Sequence, residues 1–287
     1  MSVPVIDVSH EGVVGDVRSA CEDVGFLVVV GHGVPDGTVD AIAAPSRAFF
    51  DLPDEEKRRY GDGPLTPGLP VYRPLRSEAL AATGGDAAPA DLKQSLDWGP
   101  TLPGVGWPPG LEAPYRAYLA EMHRVARRLR RLFALALGRD ADWFEPYADE
   151  ESSSLRVIDY PEAGGGHPEG QLRAGAHRDY GFLTILKTED APGGLQVQTR
   201  AGEWVDVPTV PGGFVVNLGD LLAEWTGGRW VSTPHRVVLP PPDRAHGSRR
   251  QSLVFFHNPR ADAYIETLGT TAGGYVQAKA DAAFGAG

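Results

Sequence analysis

The chain has 287 residues, 42% of them hydrophobic, and 27 Lys and Arg against 38 Asp and Glu give it a net charge of −11. That length and apolar content can bury one large core, and the negative balance argues against nucleic-acid binding through a general basic footprint. Its one cysteine, Cys21, has no intrachain disulfide partner, which fits a reducing, cytoplasmic setting; "FLVVV" is too short to cross a bilayer and no basic n-region precedes an apolar signal core, so no membrane association is expected.

In chain order, residues 4–8 read as a short strand and 12–24 as a helix with the apolar stripe Val14, Val17, Cys21 and Val24. A buried strand is predicted at 25–30 and a helix at 36–50, which Pro45 should kink or restart. "LPDEEKRRY" continues as a helical turn or short helix. Residues 61–91, including "ATGGDAAPAD", read as a long loop, a kind of segment that tends to be a lid or disordered. A long helix is predicted at 111–137, with the stripe Tyr115, Leu119, Met122, Val125, Leu129, Leu132 and Ala136. Its arginines at 124, 127, 128, 130 and 131 read as a solvated face rather than an anion site.

From residue 154 the pattern changes to short apolar strands between Gly-rich turns, at 154–160, 173–177, 182–187, 194–198, 203–207, 213–217, 229–231, 234–239 and 250–257. About eight strands at this spacing suit a two-sheet jelly roll, and "TAGGYVQAKADAAF" closes the chain as a helix. The predicted fold is mixed α/β with a β core, a double-stranded β-helix flanked by N-terminal, central and C-terminal helices. No linker divides it. One domain is expected over 1–287: a helical and mixed part at 1–150, the jelly-roll core at 154–257 and a C-terminal helix at 258–287.

Two stretches carry the chemistry. "GAHRDYGFLTIL" places His177 and Asp179 two apart on an extended segment, hence on one side of a sheet, and "STPHRVVL" brings His235 from a distant strand. Two imidazoles and a carboxylate leave three adjacent positions of a metal open, the facial triad associated with non-haem Fe(II) oxygenases. Taken singly, each of the three reads as an ordinary barrel histidine or surface carboxylate. In "RRQSLVFF", Arg250 and Ser252 share a face with Val254 and Phe256. A guanidinium among such neighbours needs an anion, either a bound carboxylate or an internal Asp or Glu. "LRVIDYPE" puts Arg156, Ile158 and Tyr160 on one face, so Tyr160 could add a donor to that carboxylate. Arg156 either meets a substrate anion or pairs with a nearby acid. His10, His32, His123, His246 and His257 have no partner at ligand spacing and read as structural, His167 as solvent-exposed, and Trp225 and Trp230 as packing residues or pocket walls.

The ordered set resembles the isopenicillin N synthase-like branch of the Fe(II)/2-oxoglutarate-dependent dioxygenases over nearly the whole chain. It runs from "VPVIDVS" and "GFLVVVGHGVP" through "FFDLPDEEKRRY", Tyr160-Pro161, His177-x-Asp179, "FVVNLGDLL" and "STPHRVV" to Arg250-x-Ser252. The resemblance implies Fe(II) on His177, Asp179 and His235. It implies the distal carboxylate of 2-oxoglutarate on Arg250 and Ser252, supported by Tyr160, with a position left for O2. The implied reaction oxidises a C–H bond of a small molecule, by hydroxylation, desaturation, epoxidation or ring closure, while the cosubstrate becomes succinate and CO2. Asp179 argues against halogenation, for which relatives exchange this carboxylate for a small residue.

Three departures stand out: Arg178 where relatives carry Thr, which should point away from the metal; Ile158-Asp159 in place of an Asn; and Val71-Tyr72 where a Gly-Tyr usually opens the substrate loop. The candidate substrate-facing residues are Arg156, Ile158 and Phe256 from strand parity, and Arg73 and Tyr72 from the long loop. A composition heavy in Ala, Gly, Pro and Arg is typical of GC-rich bacterial chains, whose relatives often tailor natural products, including antibiotics, or modify amino acids. The alternatives are an iron oxidase without 2-oxoglutarate, an ethylene-forming reaction, a hydrolytic zinc enzyme and a catalytically silent binding module. Nothing in the sequence fixes an oligomeric state.

Overall fold

Short apolar runs with period-2 alternation bury a face only by pairing, and here they pair into two sheets. The computed structural model describes residues 2–81, 89–164 and 167–284. In chain order the principal strands are β1 (Val5–Asp7), β2 (Phe26–Val30), β3 (Val71–Arg73), β4 (Gln94–Trp98), β5 (Ser154–Tyr160), β6 (Ala174–His177), β7 (Leu183–Thr188), β8 (Gly194–Gln198), β9 (Trp204–Asp206), β10 (Phe214–Leu218), β11 (His235–Val238) and β12 (Arg250–His257). One sheet has the order β1-β2-β10-β7-β12-β5-β4-β3 and the other β9-β8-β11-β6. Apart from the parallel β1–β2 pair, these neighbours run antiparallel. This is the double-stranded β-helix expected from the sequence.

The helices are α1 (Val14–Asp23), α2 (Asp36–Phe50), α3 (Asp54–Arg58), α4 (Glu112–Ala136), α5 (Asp220–Trp225) and α6 (Ala272–Phe284). The predicted stripe of α4 is buried throughout and packs against α1, α2 and β12. Strand alternation then divides the large sheet. Leu155, Val157, Leu253 and Phe255 join the core under the helices, while Ile158, Tyr160 and Val254 turn inward with Ala174, Leu195, Val197 and Val237 of the second sheet. No helix among the described residues is long and apolar enough to cross a membrane.

Several expectations need correction. α2 does not restart at Pro45 but continues from Asp36 to Phe50, because a lost amide bond is tolerated where the helix is packed against α4, β5 and β12. The stretch at 61–91 is not all loop: Val71–Arg73 forms β3 on β4 at the sheet edge, and residues 82–88 lie outside the described residues. β4 escapes a reading by pattern because "QSLDW" has only two apolar side chains, although all five residues are buried. No strand forms at 229–231; Gly227 and Gly228 turn there with φ of 66° and 76°, and Trp230 instead fills the core against Phe133. Arg130 is not on a solvated face. It is buried, bonds Glu145, and donates to His257 Nε2 at 2.8 Å, while Ser153 meets His257 Nδ1 at 2.9 Å. His167 is half-buried rather than open to solvent.

Candidate functional site

β6 ends at His177, and Asp179 sits in the turn that follows. That turn is gripped by the start of α5: Asp220 donates its amide to the Asp179 carbonyl at 2.7 Å, Leu221 to Tyr180 at 3.2 Å, and Gly219 to Phe182 at 3.1 Å. The approach is so close that a Cβ on Gly219 would collide with the Gly181 carbonyl. Only glycine permits it. His235 opens β11 directly opposite His177.

The two Nε2 atoms each lie 3.8 Å from Asp179 Oδ1, and the two rings are 4.3 Å apart. One donor atom from each of the three residues falls within 4.8 Å of the others. Their outer atoms are already committed. His177 Nδ1 donates to the Gly175 carbonyl at 2.7 Å and His235 Nδ1 to the Thr233 carbonyl at 3.2 Å, which leaves both Nε2 lone pairs inward. Asp179 Oδ2 accepts from Thr184 Oγ1 at 2.5 Å and Asn217 Nδ2 at 2.7 Å, so Oδ1 is the free oxygen.

Burial, and then His235, push the His177 imidazole well below its usual range. Burial alone would raise the Asp179 carboxyl, but the two imidazoles and the bonds from Asn217 and Thr184 outweigh it and hold it low. A neutral imidazole and an ionised carboxylate are the states a cation requires. Thr184 and Asn217 carry no signal in the sequence, since only the β7–β10 register places them side by side. Asn217→Ala is expected to weaken Mn(II) binding by about 10- to 100-fold, read by titration calorimetry, with the fold retained.

Farther along the inner face, β12 lies between β5 and β7, so Arg250 faces Tyr160 in register and Ser252 faces both Ile158 and Thr188. Arg250 is only 4% exposed. It donates to the Gly193 carbonyl and to Thr188 Oγ1, and among the described residues its Nε has no partner. Thr188 in turn meets Ser252 Oγ at 3.1 Å. Among the described residues no carboxylate lies within ion-pairing distance of Arg250, so the internal-acid alternative has no partner to offer. Burial pushes its guanidinium below the usual range, against the opposing pull of Tyr160, Glu189 and Asp190. Burial raises the Tyr160 hydroxyl to about 12, keeping it a donor at neutral pH.

A cavity of about 430 Å³ joins the two ends and is lined by His177, Asp179, His235, Tyr160, Arg250 and Ser252 together. Arg156, Ile158 and Phe256 lie on its wall as strand parity predicts, and Tyr180, which no sequence pattern marks, joins them. Tyr72 and Arg73 do not. Tyr72 is buried in the core with its hydroxyl on Gln94 at 2.7 Å, and Arg73 pairs with Asp97 at 2.6 Å, because the segment is a strand and not a loop. Arg178 is exposed and donates to the Ser232 carbonyl, though it also borders the cavity.

Arg156 is already paired, to Glu78 at 3.1 Å and Asp97 at 2.7 Å, and Lys93 meets Glu78 at 3.0 Å. Burial by itself would raise the Glu78 carboxyl, yet Arg156 and Lys93 bring it down to about 2. Stability from a depressed carboxyl is present above its unfolded pKa and is lost as pH falls toward the folded one. Thermal stability should therefore drop between about pH 5 and 2. Glu78→Gln should lower the plateau above that window by on the order of 3 kcal/mol at most and flatten the slope inside it, as read by melting curves across pH.

Residues 152–259 match the model of the 2OG-Fe(II) oxygenase superfamily, and residues 3–118 match that of the non-haem dioxygenase in morphine synthesis N-terminal region. The chain is 32% identical to validamycin A dioxygenase of Streptomyces hygroscopicus subsp. limoneus, over 95% of this chain and 81% of that protein. It is 31% identical to homoarginine-6-hydroxylase 2-ODD-C23 of Glycine max, over 94% and 89%. The structure resembles that of a full-length Neurospora crassa protein solved in complex with alpha-KG, with a TM-score of 0.83, 29% identity, and coverage of 97% of this chain and 96% of that one.

Proposed function

The chain belongs to the 2OG-Fe(II) oxygenase superfamily and is an Fe(II)/2-oxoglutarate-dependent dioxygenase, and from that premise we propose that His177, Asp179 and His235 hold its iron while Arg250, Ser252 and Tyr160 hold the distal carboxylate of its 2-oxoglutarate. The observation that carries the assignment is the preset state of the donors. Both Nδ1 atoms and Asp179 Oδ2 are occupied by protein partners, so two nitrogens and one oxygen are left facing one point. The same cavity reaches a buried guanidinium that, among the described residues, has no carboxylate of its own.

When bound, iron with 2-oxoglutarate and O2 supplies the oxidation of a C–H bond, one oxygen atom going to the substrate and one to succinate, with release of CO2. The chain's own residues orient and enclose. Thr184 and Asn217 fix the Asp179 carboxylate, Ser252 and Thr188 set the hydroxyls beside Arg250, and Ile158, Leu186, Val254 and Phe256 exclude water. We take residues 1–287 as one oxygenase domain, since β1 to β4 from the 1–150 part extend the same sheet as the strands of the 154–257 core.

Arg156, Ile158 and Phe256 form the substrate wall in this proposal. Glu78 and Asp97 already match the Arg156 charge, while Arg178, which donates to the Ser232 carbonyl and among the described residues has no acidic partner, borders the same cavity. The substrate in this proposal is a small-molecule metabolite of natural-product or amino-acid metabolism. Incubating the Fe(II)-loaded protein with such metabolites should give substrate-triggered succinate, equimolar with oxidised product. Product formation undiminished without 2-oxoglutarate would sink the assignment of Arg250, Ser252 and Tyr160.

A further inference from the structure

A second guanidinium is buried at the anion end of the cavity. Arg173, just before β6, is fully buried. Its Nη1 donates to the Pro192 carbonyl at 3.2 Å, its Nη2 to the Pro161 carbonyl at 3.2 Å and the Ser248 carbonyl at 2.5 Å, and among the described residues its Nε has no partner. Among the described residues no carboxylate pairs with it. Arg250 holds the next carbonyl along, Gly193 at 3.3 Å, so the two cations bracket one turn. Tyr160 adjoins both: it faces Arg250 in register, and the Arg173 guanidinium carbon lies 6.0 Å from the centre of its ring.

Two desolvated cations side by side repel, and neutral carbonyls answer neither charge in full. Burial, and then Arg250, lower the Arg173 pKa to about 10. A single carboxylate arriving at Arg250 relieves both. A monocarboxylic oxoacid, which brings no distal charge, relieves neither.

We propose that Arg173 is a specificity-determining residue for the cosubstrate, a second positive charge behind Tyr160 that makes the site select a dicarboxylic oxoacid. It does not line the cavity and acts through its field. The proposal rests on the assignment of Arg250 to the distal carboxylate of 2-oxoglutarate.

The test is calorimetry on the full-length Mn(II)-loaded protein, titrated with 2-oxoglutarate and with 2-oxopentanoate, which has the same carbon chain without the distal carboxylate. Arg173→Gln removes the charge yet keeps amide donors for the same carbonyls. It is expected to weaken 2-oxoglutarate about tenfold and to leave 2-oxopentanoate unchanged. Arg173→Lys keeps the charge and gives up most of the carbonyl bonds, and should stay within about threefold of wild type for both. A Gln variant that weakens both oxoacids equally or neither, or a Lys variant as weak for 2-oxoglutarate as Gln, would reduce Arg173 to a structural brace and overturn the proposal. Wild-type protein that binds both oxoacids equally would instead overturn the Arg250 assignment, and this proposal with it.

Discussion

Asp179→Ala is expected to abolish measurable succinate release and to lower divalent-metal affinity by more than about 100-fold, beyond the effect of losing a supporting hydrogen bond. Asp179 is the one anionic member of the trio, and its Oδ1 lies 3.8 Å from each imidazole Nε2. Alanine leaves two neutral nitrogens to face a dication. It also leaves Thr184 Oγ1 and Asn217 Nδ2 without their acceptor in a buried site. Anaerobic titration with Fe(II), alongside Mn(II), reads the affinity without turnover. Binding as tight as wild type would show that the metal sits elsewhere.

Arg250→Met should raise the Kd for 2-oxoglutarate by about 2–5 kcal/mol, roughly 30-fold to several thousandfold, while metal affinity stays near wild type. A second effect runs against intuition. Arg250 is buried and among the described residues has no carboxylate within ion-pairing distance, so its charge costs stability in the ligand-free protein. Replacement by an apolar side chain of similar length is expected to leave the ligand-free Tm unchanged or higher. A melting curve with and without 2-oxoglutarate separates the effects: wild type gains a shift on ligand addition and the Met variant does not. A Met variant that still gains the full shift would remove Arg250 from the cosubstrate site.

The metal trio and the Arg250–Ser252 pair are legible in the sequence because period-2 alternation fixes which side chains share a face over a few residues. What supports them is not, because it depends on register between strands. Asn217 and Thr184 are far apart in the chain and meet only because β10 pairs with β7. The acids that match Arg156 come from 59 and 78 positions away, which sequence spacing cannot foresee. β4 is hidden for a different reason: its polar residues are buried by mutual pairing, with Gln94 on Lys57, Tyr72 and Asp159, and Asp97 on Arg73 and Arg156. The misplacement of Tyr72 and Arg73 follows from it. Arg130 misleads because helical periodicity locates the apolar stripe of α4 but says nothing of a cation bonded inward to Glu145 and His257.

Cys21 is wholly enclosed on the buried face of α1, and burial holds its thiol in the protonated, unreactive form. With no other cysteine in the chain, a maleimide dye has one address, and that address opens only when the helical layer comes apart. Labelling rate at neutral pH thus becomes a clock for global opening, free of background from the surface and readable on a gel for every variant above.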